Sequence, residues 1–305
     1  MRHRIGGALG ALLVAGLVAL AGCSSNDPLA GTGTGSSPSS GAIVVGSQDY
    51  YSNEIIAEIY AQALEHAGYT VDRQFRIGQR EVYLPQIEAG HIDLFPEYSG
   101  PLLQYWVPST KALLPDAVYA QLEKATPKGL RVLDQSPAAD QDSYVVTQAF
   151  AAKWGLTSIS DLSKVTVPMT MGANSEAQTR PNGPKGLLAT YGVKVGFTPI
   201  EDGGGPLTVK ALQNNQIQLA IIYTADPSIA ADHLVSLKDD KGLFLASNVV
   251  PLASDRVDAK AASIINAVSA AMTTQDLIGL DAQSVNQELP AATIATAWLK
   301  EKSLI

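Results

Sequence analysis

The chain has 305 residues, 46% of them hydrophobic and 16% charged, and a formal net charge of -8. This length and composition suit two ordinary domains with their own cores, and they exclude both a disordered chain and an integral transporter. An acidic chain without a basic stripe excludes nucleic acid as a partner, and a single cysteine excludes an intramolecular disulfide.

The first residues read as an address. Met1-Arg2-His3-Arg4 is a short basic head, and residues 5–20 are apolar and rich in Ala, Gly, Leu and Val. This is the layout of a secretory signal peptide, residues 1–22, which is set aside from the fold. Leu20-Ala21-Gly22-Cys23 follows and resembles the bacterial lipobox. That resemblance implies cleavage before Cys23, a diacylglycerol on its thiol, and a chain anchored by lipid to the extracytoplasmic face of the cell membrane. The only cysteine of the chain stands at the required position. The alternatives are a plain secretory signal with an incidental cysteine, or an uncleaved anchor. Residues 24–41 are a Ser/Gly/Thr/Pro tract without periodicity, expected to be a tether reaching about 24 Å as a flexible coil.

From residue 42 the pattern changes. An apolar strand is expected over residues 42–47. A helix capped by Ser52 or Asn53 follows, running to about Ala67 and ending at Gly68. Ile55, Ile56, Ile59 and Ala63 fall on one face of it. A strand over 71–77, a helix over 81–89 and a strand from Ile92 to Tyr98 complete a β-α-β-α-β order, the signature of a parallel sheet flanked by helices. Residues 130–134 suit a further strand, and residues 142–146 the crossing into a second lobe. Trp154, Leu156, Ile159 and Leu162 fit a packed helical stretch with Ser160-Asp161 as its cap. Strands are expected over 166–171 and 195–201, with Glu176 and Arg180 on the loop or short helix after the first of them. Gly203-Gly204-Gly205-Pro206 reads as a turn into a helix, since no Lys-Ser/Thr follows to make a phosphate loop. Helices over 258–272, 274–281 and 290–302 are expected to pack on the first lobe.

One pattern occurs twice. Ile92, Leu94, Tyr98 and Ser99 match Ile217, Leu219, Tyr223 and Thr224 without a gap. Each copy places a tyrosine at the carboxyl end of a strand, where open α/β sheets bind ligands. The chain is therefore read as two α/β lobes, residues 42–142 plus 246–305 and residues 143–245, with a ligand cleft between them. Nothing in it reads as catalytic. The histidines His3, His66, His91 and His233 are scattered without metal spacing, no Gly-x-Ser-x-Gly elbow is present, and Asp93 with Glu97 suits a structural role. No cofactor or metal is expected.

Val45-Gly46-Ser47, Ile55-Ile56-Ala57-Glu58, Ala89-Gly90-His91-Ile92-Asp93-Leu94 and Pro96-Glu97-Tyr98-Ser99-Gly100 together resemble the glycine betaine/choline/carnitine substrate-binding proteins (ProX/OpuC type) of ABC importers. The resemblance spans residues 43–300. It implies a two-lobed periplasmic-binding-protein fold of type II kind, a small-molecule ligand, a permease and an ATPase as partners, a monomer, and a role in osmoprotection. It implies a box of aromatic rings around a quaternary ammonium at Tyr98, Tyr144 and Tyr223, a ligand-carboxylate contact at Arg180, and a group near the cationic methyls at Asp142. For Arg180 an internal pair with Glu176 is the alternative. The chain departs from the family at three positions: the cleft lysine falls on Gln48, a threonine on Pro101, and the fourth box tyrosine on Ser247. Tyr50 and Tyr51 are the candidates to fill that gap. These departures leave room for choline, carnitine or a neutral hydroxylated or aromatic ligand beside glycine betaine. A ligand sensor docking on a membrane receptor, or a structural lipoprotein with a vestigial cleft, would use the same fold.

Overall fold

The computed structural model describes residues 41–305. The expected signal peptide, Cys23 and the expected tether up to residue 40 lie outside the described residues.

Among the described residues ten strands form two sheets. They are β1 (Ile43–Gly46), β2 (Val71–Gln74), β3 (Leu94–Tyr98), β4 (Leu130–Val132), β5 (Asp142–Thr147), β6 (Thr170–Ala173), β7 (Gly196–Pro199), β8 (Leu219–Tyr223), β9 (Leu234–Ser236) and β10 (Val249–Ser254). The first sheet has the order β2-β1-β3-β10-β4 and the second β7-β6-β8-β5-β9. The two correspond strand for strand. In each, the first three strands in sheet order are parallel, and the fourth, β10 or β5, runs antiparallel to both of its neighbours. The repeat seen in the sequence falls on β3 and β8, the central strand of each sheet.

The two-lobed α/β architecture is as expected; the element boundaries differ in instructive ways. The first long helix, Tyr51–His66, has no side-chain cap. Asn53 serves a different purpose: its Oδ1 accepts the Gln48 backbone N–H at 2.8 Å and its Nδ2 donates to the Pro96 carbonyl at 2.9 Å. It thereby ties the loop after β1 to β3. In the second lobe the cap is the Ser158/Asp161 box of a 3-10 turn over Ile159–Lys164, not Ser160. The Gln148–Trp154 helix stops before it at Gly155, whose φ of 61 suits glycine. The Thr274–Gln287 helix runs past Asp281, supported by a Thr273/Asp276 capping box. Together with Ala259–Ala271 and Ala291–Glu301 it packs on the Tyr51–His66 helix, burying Ile265, Val268, Leu280 and Trp298 with Ile55, Ile56 and Ile59. The three C-terminal helices thus belong to the first lobe.

β10 is the element the sequence hides. Pro251 sits in its middle and reads as a breaker. In the sheet it lies opposite Pro96 of β3, so at this pair neither residue has an N–H to offer its neighbour, and the carbonyl of Pro251 still accepts from Leu133 N at 2.8 Å. The two segments that cross between sheets are bonded to each other: Ala139 bridges Asn248, Asp140 N donates to Ser247 O at 2.9 Å, and Gln141 Nε2 donates to Leu245 O at 2.7 Å. The helix Ser99–Trp106 begins against this crossing, and a Cβ on Gly100 would lie 2.6 Å from the Ala246 carbonyl oxygen.

Gly100→Ala is therefore expected to lower the unfolding free energy by about 1–3 kcal/mol, the usual cost of overpacking. Denaturant titration checks it, and an unchanged midpoint would mean that helix and crossing segment separate freely.

Candidate ligand-binding site

The site is built where β3 and β8 end. Tyr98 closes β3, Tyr223 closes β8, and the crossing segments supply Asp140, Asp142 and Ser247 beside them. The narrow cavity so formed is lined by Gln48, Tyr50, Arg80, Tyr98, Pro101, Asp140, Asp142, Arg180, Tyr223 and Ser247, with a free volume of about 10 Å³ where the lobes meet. It opens toward a mouth lined by Glu81, Tyr105 and Thr179 among others. Six residues singled out from the sequence, Gln48, Tyr98, Asp142, Arg180, Tyr223 and Ser247, come together on these walls. So does Pro101.

Tyr144 does not. It shares a face of β5 with Asp142 but lies one pleat repeat deeper in the second lobe. Its ring is fully buried edge-on to Phe244, with centroids 5.0 Å apart, and its hydroxyl donates to the Asn182 carbonyl at 2.8 Å. Asn182 Nδ2 in turn donates to Asp142 Oδ2 at 2.8 Å. Tyr144 supports the wall without being part of it.

The third ring of the cavity is Tyr50. It reaches from the first lobe and stacks on Tyr223 of the second, centroids 5.1 Å apart and planes 26° from parallel. Gly203 makes this possible: at φ +66, any Cβ there would meet the Tyr50 Cβ at 3.1 Å. Tyr51 is turned away, its hydroxyl donating to Asp226 Oδ2 at 2.7 Å. Burial raises the phenol pKa of Tyr50, Tyr98 and Tyr223, so all three rings stay neutral and present their negative π faces.

Both arginines of the cavity are already occupied. Arg80 forms a bidentate pair with Glu97, both contacts at 2.9 Å, and Glu97 also accepts from Tyr83 OH at 2.6 Å and Tyr98 N at 2.8 Å. Arg180 of the second lobe reaches Glu81 of the first at 2.8 and 3.1 Å, and Gln79 at 3.1 Å. Its partner is not Glu176. Asp93 likewise serves the fold, accepting from Val44 N and Ser254 Oγ, each at 2.9 Å.

Asp140 is the residue that sequence reasoning missed. It is 3% exposed and accepts from Ala225 N at 2.8 Å. Burial raises its carboxyl pKa to about 7, against the Ala225 N–H that lowers it and with the charges of Asp142 and Asp226 that raise it further. Burial also raises Asp142, opposed by Arg180, Arg80 and Asn182. The signal was present: Asp140 and Asp142, two apart in an extended segment, share a face. Among the described residues eleven buried side-chain atoms have no hydrogen-bond partner, and three of them, Gln48 Nε2, Tyr98 OH and Ser247 Oγ, line this cavity. Buried polar groups are ordinarily satisfied, so three orphans lining one cavity offer free hydrogen-bonding capacity there. Among the described residues no three His, Cys, Asp or Glu side chains group as a metal would require.

Two α/β lobes joined by two crossing segments, with an aromatic and acidic cavity between the strand ends, define a bilobed solute-binding protein. The sequence profile described as the substrate-binding domain of ABC-type glycine betaine transport systems matches residues 41–301, and the chain belongs to this OpuAC family. That family comprises solute-binding proteins of ABC importers, not enzymes. The chain is 25% identical to the glycine betaine-binding protein YehZ of Escherichia coli K12, over 85% of this chain and 90% of that one. It is 26% identical to the carnitine transport binding protein OpuCC of Listeria monocytogenes, over 86% and 84%. Its fold resembles that of a crystallised glycine betaine/carnitine/choline ABC transporter component with a TM-score of 0.69, at 20% identity, covering 86% of this chain and 99% of that one.

The raised pKa of Asp140 sets a pH dependence. The folded state binds this proton more tightly than the unfolded chain, whose aspartate has a pKa of about 3.9. Its contribution is fully present below that value and is lost as pH rises through about 7. Asp140→Asn is expected to raise the unliganded Tm relative to wild type more at pH 8 than at pH 5. Equal differences at both pH values would place the Asp140 carboxyl in a wetter setting.

Proposed function

We propose that the chain is a lipid-anchored, extracytoplasmic receptor that captures a quaternary ammonium compatible solute, of the glycine betaine, choline or carnitine class. It closes its lobes on the solute and delivers it to an ABC permease whose ATPase partner drives uptake, in osmoprotection. The observation that carries this reading is the convergence of Tyr50, Tyr98 and Tyr223 with the buried Asp140 in one cavity. Quaternary ammonium groups have no N–H to donate and are held by ring faces and negative charge. Each desolvated cation–π contact contributes about 2 kcal/mol, and micromolar binding needs about 8 kcal/mol. Three rings supply most of that, and the acidic groups and excluded water the remainder. The names of the relatives, a glycine betaine-binding and a carnitine-binding protein, support the same solute class.

Closure is supported by contacts that span the lobes, among them Tyr50 on Tyr223, Tyr51 on Asp226 and Arg180 on Glu81 and Gln79. Membrane attachment rests on Leu20-Ala21-Gly22-Cys23. Cys23→Ser is expected to abolish metabolic labelling with palmitate and to release the protein from the membrane fraction; labelling that persists would discard the lipid anchor.

The solute class is tested by calorimetry on the chain from Ser24 onward. Saturable binding of a quaternary ammonium is expected. Tyr50→Ala, Tyr98→Ala and Tyr223→Ala should each weaken it about ten-fold or more, whereas Tyr144→Phe should leave it within about three-fold, since its hydroxyl acts only inside the second lobe. Heat from a neutral hydroxylated or aromatic compound, with none from any quaternary amine, would replace the proposed solute by that one.

A further inference from the structure

Whether the solute carries its own carboxylate is a separate question, answered by the charge of the walls. A ligand carboxylate buried in this cavity needs a cationic partner. The cationic side chains on its walls are Arg80 and Arg180, and each holds a bidentate carboxylate of the protein. Arg80 is locked to Glu97 inside the first lobe, with 7% and 0% of the two side chains exposed. Arg180 is held by Glu81 from across the cleft. Although burial raises it, the Arg180 contact leaves the Glu81 carboxyl pKa below its ordinary value, so Glu81 is ionised at neutral pH and fills the guanidinium fork. Beyond these pairs, the walls carry two more carboxyls, Asp140 and Asp142, with no arginine or lysine bonded to either. The acids around the cavity therefore outnumber the bases. Where a lysine would add positive charge, the wall presents Gln48, with an unpartnered Nε2 beside the unpartnered Ser247 Oγ and Tyr98 OH.

We infer that Glu81 and Asp140 select the charge of the solute. Glu81 occupies the guanidinium that a zwitterion would use, and Asp140, partly protonated in the empty cavity, ionises against an entering cation and provides the counter-charge beside the tyrosine rings. The preferred ligand is then a net cation, a quaternary ammonium bearing a neutral hydroxyl arm of the choline type, and not a carboxylate-bearing betaine. The hydroxyl matches the wall it would meet, accepting from Gln48 Nε2 and donating to Ser247 Oγ or an aspartate oxygen. A betaine carboxylate would have to displace Glu81 from Arg180 or face Asp140 and Asp142 with like charge. This inference rests on the quaternary-ammonium reading and narrows it.

The test is competitive calorimetry with choline and glycine betaine on the chain from Ser24 onward, in wild type and in two variants, with thermal unfolding recorded for each. Wild type is expected to bind choline at least about ten-fold more tightly than glycine betaine. Glu81→Gln frees Arg180 and should shift the ratio of the two affinities about ten-fold toward glycine betaine. Asp140→Asn should weaken choline about ten-fold and glycine betaine far less. Glu81 lies at the rim, with 39% of its side chain exposed, so its variant is expected to fold and keeps the ratio readable if Asp140→Asn does not. Glycine betaine bound more tightly than choline by wild type, with the ratio unmoved in Glu81→Gln, would overturn the charge selection and leave the quaternary-ammonium reading standing. No heat with either compound would overturn both.

Discussion

The buried pair between Arg80 and Glu97 fixes the floor on which the rest of the cleft is laid. Glu97 is wholly buried in β3, and its two oxygens take up the Arg80 fork, the Tyr83 hydroxyl and the backbone N–H of Tyr98. No acceptor capacity is left for solvent. Replacing a buried pair by apolar groups is often neutral for stability, while removing one partner costs about 3–5 kcal/mol. The pair is therefore better understood as a device of position than of stability. It pins the Arg80–Glu88 helix to the end of β3 and sets the backbone that aims Tyr98. It also lets a guanidinium line the cavity without giving the cavity a net positive charge.

The second lobe reaches the same end with different chemistry. β8 repeats β3 in register, and Tyr223 stands where Tyr98 stands, but no ion pair lies beneath it. Its ring is braced from across the cleft by Tyr50, which needs the bare backbone of Gly203 to lie there. The two tyrosines related by the repeat are thus held differently, one from within its own lobe and one by the opposite lobe. A solute that parts the stack between Tyr50 and Tyr223 exchanges one aromatic contact for a cation–π contact on each face. Aromatic pairs are worth about 0.5–1.5 kcal/mol beyond their area, less than the two desolvated contacts they would yield to.

What the sequence made legible follows from locality. The doubled strand with its terminal tyrosine, the parallel order before it and the helices that return to the first lobe are carried by hydrophobic periodicity and turn residues, and each is present in the fold. Tyr98, Tyr223, Arg180, Gln48 and Ser247 were found through family motifs and do meet on one cavity. Tyr144 was placed in the box by the same resemblance. The depth of a residue along a strand, one pleat nearer or farther from the mouth, leaves no mark in composition. β10 was hidden because Pro251 looks like a breaker until Pro96 is seen opposite it. Asp140 and Glu81 escaped notice for a further reason. Their importance comes from what faces them, Ala225 and the rings in one case and Arg180 in the other, and those partners are 85 and 99 residues away along the chain.

The strength of each contact is matched to where it lies. The tight, desolvated pair is internal to one lobe, and the ion pair that spans the cleft, Arg180 with Glu81, is partly exposed at 21% and 39% of the side chains. Exposed pairs of this kind contribute about 0.2–1 kcal/mol. With the Tyr50–Tyr223 stack and the Tyr51–Asp226 hydrogen bond, worth about 1.5–3 kcal/mol, these contacts bridging the lobes still fall short of the roughly 8 kcal/mol of a micromolar ligand. In the proposed cycle this ordering matters. A ligand moves an equilibrium only by its difference in affinity for the two states, so weak bridges leave the choice between open and closed lobes to the solute. A buried pair across the cleft would hold it shut empty and present nothing to the permease. Placing Glu81 at the rim keeps that bridge weak and still leaves Arg180 neutralised, which joins the charge of the accepted solute and the ease of opening in one side chain.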